Sequence, residues 1–394
     1  MTAAPRIEWR EGDAPRAARW RSEAGLPPPK RVVVIDDTMS ADDAYHLACE
    51  GTALLWRGDF QNARQMLQAM ARRVEQKPRR ARQRAADAAK TTAAAAAPGD
   101  AFHRHRLMQS QRARTLAALL LPLEADYTIP LRRAPDVRAA CVEAYGPASA
   151  EASASVVSLR EILGLVGAHE WRKKGVEVPA AGGRIHPHYG VFSPVRGEYV
   201  DLVARAPLPA TTLAFDIGTG TGVLAAVLAR RGVARIVATD TDARARACAI
   251  ENLTRLGVAG QVEVIAADLF PEGRAPLIVC NPPWVPARPS SPLEAAVFDP
   301  DSRMLLGFLR GLAAHLAPGG EGWLILSDFA EHLGLRPRAD LDAAIAAAGL
   351  TVIDRIDVKP VHPRASDRTD PLHQARSAEL TSLWRLGAGV RFAR

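Results

Sequence analysis

From about residue 205 onward, short apolar runs alternate with longer amphipathic stretches. The runs lie at 212–216, 235–239, 262–266, 277–281 and 322–327, and each is too short for a helix and rich in β-branched residues, so each predicts a buried strand. Between and after them, 221–231, 242–257, 301–317 and 335–348 space their apolar residues at helical period and predict helices. Two further runs, 351–358 and 380–386, bring the strands to seven. Strictly alternating strand and helix predicts an α/β domain built on a largely parallel sheet with crossover helices, assigned to residues 185–394.

The first half reads differently. Residues 1–30 predict a poorly ordered arm ending in Pro27, Pro28 and Pro29, which resist helix and strand alike. Residues 31–36 form a short β-branched strand candidate, and 42–75 predict a helix interrupted near Gly51 and Gly58. Residues 31–180 are thus expected to be a smaller mixed or α-rich N-terminal domain that recognises the substrate. Within it, Arg72, Arg73, Lys77, Arg79, Arg80, Arg82, Arg84 and Lys90 face only Glu75 and Asp87, and an alanine tract, Ala93 to Ala97, ends at Pro98-Gly99. This predicts a basic helix broken at Pro78 and a flexible basic, Ala-rich segment at about 77–101. The apolar stretch 116–123 must be packed.

Length agrees with two domains, since 394 residues exceed one ordinary core. The net charge of +8 favours encounter with a polyanion, and RNA or a ribosome-associated substrate is the expected partner. Cys49, Cys141, Cys248 and Cys280 are scattered without a C-x-x-C pair, which argues against a disulfide framework or zinc knuckle and for a reducing cytoplasm. His103 and His105, like His186 and His188, form H-x-H pairs without Cys or carboxylate neighbours at ligand spacing, so no metal site is expected. No uncharged stretch approaches the length of a membrane span.

The candidate chemistry sits at the strand ends of the second domain. Asp216-Ile217-Gly218-Thr219-Gly220-Thr221-Gly222 places three glycines between strand and helix, where backbone can approach a ligand closely. A dinucleotide fingerprint would need glycine at position 223, which is Val223. Asp240 ends the next strand, followed by Thr241, and a carboxylate there can accept both ribose hydroxyl protons. Asp268 and Leu269 end the third. The fourth strand runs into Asn281-Pro282-Pro283-Trp284, where two prolines fix the backbone. The Asn281 side-chain oxygen and the Pro282 carbonyl can then both accept from one NH2 group while Trp284 offers a flat face for stacking.

In this order, the glycine loop led by an acid, the acidic strand ends and the N-P-P-W tetrapeptide resemble the class I S-adenosylmethionine-dependent methyltransferases, and within them the methyltransferase small-domain group. The resemblance covers about residues 185–330. It implies a Rossmann-like seven-stranded domain and S-adenosylmethionine bound by Asp216, Gly218, Thr219, Gly220, Gly222, Asp240, Thr241, Asp268, Leu269 and Asn281. Asp216 would face the amino-acid end of the cofactor through the loop or a water, Asp268 the adenine amino group, and Leu269 the ring. Asn281, Pro282, Pro283 and Trp284 would form the reaction site.

The segment 189–198 resembles the stretch that lies across the cofactor in this group. The group includes glutamine methyltransferases of release factors and ribosomal proteins, which carry Tyr where this chain has Trp284, and guanine-N2 methyltransferases of ribosomal RNA, which carry Phe-His where this chain has Trp284-Val285. The leading expectation is methylation of a nucleobase amino nitrogen in ribosomal RNA. Protein glutamine N5-methylation, small-molecule N-methylation and an inactive binding module stay open.

Overall fold

The computed structural model describes residues 5–88, 98–148, 153–289, 293–361 and 367–389. It divides into two compact units, Met1–Ala96 with His103–Glu170, and Ala97–Phe102 with Trp171–Arg394.

The first unit carries a six-stranded mixed sheet of β1 (Arg6–Glu11), β2 (Ala14–Arg21), β3 (Val32–Ile35), β4 (Ala53–Trp56), β5 (Leu119–Leu123) and β6 (Ser155–Ser158). The spatial order is β1-β2-β6-β5-β4-β3. Residues 6–21, expected in a poorly ordered arm, are instead a hairpin in which Glu11 pairs with Ala14 across Gly12-Asp13. Burial of Ile7 and Trp20 holds it to the sheet, an apolar gain that outweighs its charged neighbours.

The helix expected over 42–75 is two helices, Ala41–Cys49 and Phe60–Ala88, separated by β4. All four residues of β4 are buried, so it lacks the alternation that distinguishes a strand from a helical stretch. The Phe60–Ala88 helix continues through Pro78, where a break was expected, because one missing N–H removes only one rung from a helix of 29 residues. Lys90 and the tract Ala93 to Ala97 lie outside the described residues. Pro98 opens a further helix, Pro98–Ala117, as proline does where the first N–H needs no partner, so 98–101 is helical rather than a flexible joint.

Apart from Ala97–Phe102, the second unit begins at Trp171 rather than at 185. A short hairpin of β7 (Val176–Val178) and β8 (Gly183–Ile185) belongs to it, since Val178, Ala181 and Ile185 sit in the same apolar cluster as the helix Val223–Arg230. Seven strands follow: β9 (Leu213–Ile217), β10 (Arg235–Asp240), β11 (Val262–Ala266), β12 (Ala275–Cys280), β13 (Leu316–Ser327), β14 (Leu350–Val358) and β15 (Thr381–Ala388). Their order is β11-β10-β9-β12-β13-β15-β14, with β9 to β13 mutually parallel and β15 antiparallel to both neighbours.

One sheet face is covered by the helices Glu198–Arg205 and Val223–Arg230, and the other by Arg303–His315 and Arg338–Ala347. This is a Rossmann-like sheet of seven strands. The chain leaves β9 toward β10 and β11 on one side and returns to β12 and β13 on the other. The carboxyl ends of β9 and β12 therefore flank a topological switch point, where an open α/β sheet forms its crevice.

Candidate active site

The glycine loop follows β9 and is held by backbone bonds. Thr219 N donates to Thr239 O (2.8 Å) and Gly222 N to Thr219 O (2.9 Å). Gly218, Gly220 and Gly222 have φ of +71°, +55° and +79°, a region that favours glycine. A Cβ at Gly220 would meet nothing within 4 Å, so the loop leaves a cradle there that a side chain would fill. A Cβ at Gly222 would sit 3.2 Å from Ala249 Cα, so glycine lets the two flanking helices close.

Asp216 lies within β9 and is buried. Its Oδ2 accepts from Thr219 Oγ1 (2.6 Å) and Ala225 N (3.1 Å), so it braces the loop from inside and reaches a ligand only through it. Burial pushes its carboxyl up to about 6, against the pull of those two hydrogen bonds. Asp240, half-buried at the end of β10, receives Gly220 N on Oδ2 (3.0 Å) and Asp242 N on Oδ1 (2.9 Å). Burial raises its pKa as well. Each of its oxygens retains a lone pair, which is the acceptor pattern two ribose hydroxyls require. Thr241 is exposed beside it.

Asp268 is exposed and paired with Arg303 at 2.6 Å. Leu269 adopts a φ of +75°, and its carbonyl accepts from Thr239 Oγ1 (2.6 Å). Thr239 thus ties the ends of β9, β10 and β11 to one another. The residues expected to hold the cofactor stand at or just beyond the carboxyl ends of the four neighbouring strands β11, β10, β9 and β12, and the open cradle at Gly220 beside the Asp240 carboxylate fits a nucleoside whose ribose hydroxyls face an acid.

The reaction tetrapeptide follows β12. Pro282 is buried, and Asn281, Pro283 and Trp284 are half-buried. Trp284 Nε1 donates to Asn281 Oδ1 at 2.9 Å. The ring, expected as a stacking face, packs against apolar clusters on both sides of the sheet and carries the Arg196 guanidinium 5.1 Å from its centroid. Trp284 therefore orients the Asn281 amide, fixing its oxygen by a hydrogen bond.

Several contacts here were not apparent from sequence. Arg196 donates to Glu198 (2.6 Å) and to the buried Glu379 (3.1 Å), whose Oε1 also accepts from Ser327 Oγ (2.7 Å). The buried Arg336 donates to the Trp284 carbonyl (3.4 Å), and burial lowers its pKa. His186 and His188 pin the segment 186–191 to the helix Ala243–Arg255. His188 Nε2 lies 2.7 Å from Glu251 Oε2, His186 N donates to Asn252 Oδ1 (2.8 Å), and Val191 packs on Ala245 and Cys248.

Against known proteins, residues 183–335 match the family model of the methyltransferase small domain. Over this segment the chain is similar to a methyltransferase small domain. Among curated relatives, the chain is 34% identical over 180 residues to a release factor glutamine methyltransferase of Cereibacter sphaeroides, covering 42% of this chain and 61% of that one. It is 38% identical over 144 residues to a ribosomal protein L11 methyltransferase of Pelotomaculum thermopropionicum, covering 36% and 39%. To a tRNA1(Val) (adenine(37)-N6)-methyltransferase of Bacteroides fragilis it is 31% identical, covering 36% and 66%. The chain thus spans less than two thirds of the relatives it matches. No described helix is long and apolar enough to cross a membrane.

Proposed function

We propose that this protein is an S-adenosylmethionine-dependent N-methyltransferase whose acceptor is a planar exocyclic NH2 group, and that the acceptor is a nucleobase in RNA. The observation that carries the proposal is the Asn281 amide at the end of β12. It stands beside the switch point, held by Trp284 Nε1 at 2.9 Å, with its backbone fixed by Pro282 and Pro283. When bound, the cofactor supplies an electrophilic methyl group to the acceptor nitrogen.

The protein's own residues bind and orient. Asp240 takes the ribose hydroxyls, and the Gly218–Gly222 loop, braced by Asp216, lets backbone approach the cofactor. Asn281 Oδ1 accepts one amino proton with the lone pair left after the Trp284 bond, and the Pro282 carbonyl accepts the other. An amino nitrogen conjugated to a ring or carbonyl is poorly nucleophilic. Two fixed acceptors turn its lone pair out of conjugation and along the line of attack, so positioning carries most of the rate. No strong base is needed, because the nitrogen becomes acidic only as its new bond forms, and its proton then passes to solvent.

The choice of RNA rests on the net charge of +8, the basic run from Arg72 to Arg84, and a tRNA adenine-N6 methyltransferase among the relatives. The test is methyl transfer from isotope-labelled cofactor to total RNA and to total protein, each with a nuclease- or protease-treated control. Nuclease-sensitive label supports the nucleobase. Protease-sensitive label, traced to glutamine, would move the acceptor to a protein and keep the planar nitrogen. Label in neither fraction would turn the search to small molecules.

A further inference from the structure

We infer that Arg196 is a positioning residue for the acceptor, acting on Asn281 through Trp284; this rests on the planar-nitrogen reading above. The guanidinium lies over the indole at 5.1 Å, and its Nε and Nη2 donate to Glu198 Oε1 (2.6 Å) and Glu379 Oε1 (3.1 Å). Glu379 is 1% exposed and is itself anchored by Ser327 Oγ (2.7 Å), at the last residue of β13.

A chain of contacts thus runs from the end of β13, through Glu379, Arg196 and the Trp284 ring, to Asn281 Oδ1 at the end of β12. Each link has a physical function. Two carboxylates fix a planar cation that lysine cannot replace in shape. That cation attracts the face of the indole and fixes its plane. A cation over the ring also withdraws electron density from the indole nitrogen, making its N–H a better donor to Asn281. The Asn281 amide is left with one orientation and one lone pair toward the acceptor, so two acidic residues and an arginine outside the N-P-P-W motif set the angle at which an amino proton is taken.

The test compares Arg196→Gln, Arg196→Lys, Trp284→Phe and the Arg196→Gln/Trp284→Phe pair, using total RNA and total protein as acceptors. Thermal unfolding confirms that each variant is folded. Arg196→Gln should lower kcat roughly ten- to a hundred-fold with cofactor KM unchanged, as a displaced positioning group does, and Arg196→Lys should fall between. In the Trp284→Phe background, which keeps the ring and lacks the N–H, Arg196→Gln should cost less than about two-fold more, since the route through the indole is already cut.

Equal losses from Arg196→Gln in both backgrounds would overturn the inference, as would a kcat for Arg196→Gln at the wild-type value. If Asn281→Ala itself turns over normally, the planar-nitrogen reading fails instead. Independently of turnover, the Trp284 indole N–H resonance, identified by its loss in Trp284→Phe, should be slow to exchange with water in the wild type and fast in Arg196→Gln. Unchanged exchange would also overturn the proposal.

Discussion

Replacing Asp240 with asparagine probes the cofactor assignment through an atom-by-atom conflict. The wild-type carboxylate gives one oxygen to Asp242 N (2.9 Å) and the other to Gly220 N (3.0 Å). Asparagine has one oxygen, so its NH2 must face one of two backbone N–H groups, donor against donor, whichever way the amide turns. One hydrogen bond to a charged group is lost, worth about 1.5–3 kcal/mol. The lower end applies, because burial already works against the ionised form of Asp240. The ribose loses an acceptor at the same site, so affinity for S-adenosylhomocysteine should weaken by about ten-fold or more, equivalent to ~1.4 kcal/mol. Titration calorimetry gives the affinity and urea unfolding without ligand gives the stability. A folded Asp240→Asn variant that binds within two-fold of wild type would refute the ribose role and leave Asp240 as a brace of the glycine loop.

Asn281→Ala should reduce kcat by about 10²–10³ with cofactor affinity retained, and Asn281→Asp should keep part of the activity because it still accepts a proton; steady-state kinetics beside calorimetry checks both. Asp216 is raised from 3.8 to about 6, so the native state binds the extra proton between those values. Its stabilising contribution is present below about pH 4 and lost as pH rises through about 6, a fall of about 3 kcal/mol by the size of the shift. Denaturant unfolding from pH 4 to 7 should show that decline in the wild type and a flatter profile in Asp216→Asn; parallel profiles would contradict it. Gly222→Ala should destabilise more than Gly218→Ala. At Gly222 the new Cβ meets Ala249 Cα at 3.2 Å, while at Gly218 it meets only the movable tip of Met304. Left-handed φ adds about 1 kcal/mol in both cases, and urea midpoints decide the order.

The second unit was legible because its strands are short, apolar and separated by helical periods. All seven lie within a few residues of their expected places except β13, whose start at Leu316 was not expected because Ala317-Pro318-Gly319-Gly320-Glu321 carries no apolar pattern. The first unit was less so. β4 is buried on both faces and resembles part of a helix. The hairpin does alternate, with Ile7 and Trp9 among charges and Gly12-Asp13 between its strands, but its position at the terminus and its arginines masked the pattern. At the site, the glycines, Asp240 and Asn281 stood in recognisable order along the chain. The partners of Trp284 did not, because Arg196 and Glu379 are 183 residues apart and only the antiparallel insertion of β15 brings them together. A charged residue whose role depends on such a distant pairing leaves no periodicity to read.

Thr239 gives the fold a point of shared inheritance. Its carbonyl holds Thr219 and its hydroxyl holds Leu269 in a left-handed conformation that a leucine adopts only under constraint. Valine there would have nearly the same shape and preserve the first contact but not the second, so Leu269 would be free to relax while the glycine loop stayed in place. Sequence drift at this one buried position would therefore free the loop after β11 to vary while the backbone pairing of β11 with β10 and the glycine loop stayed in place.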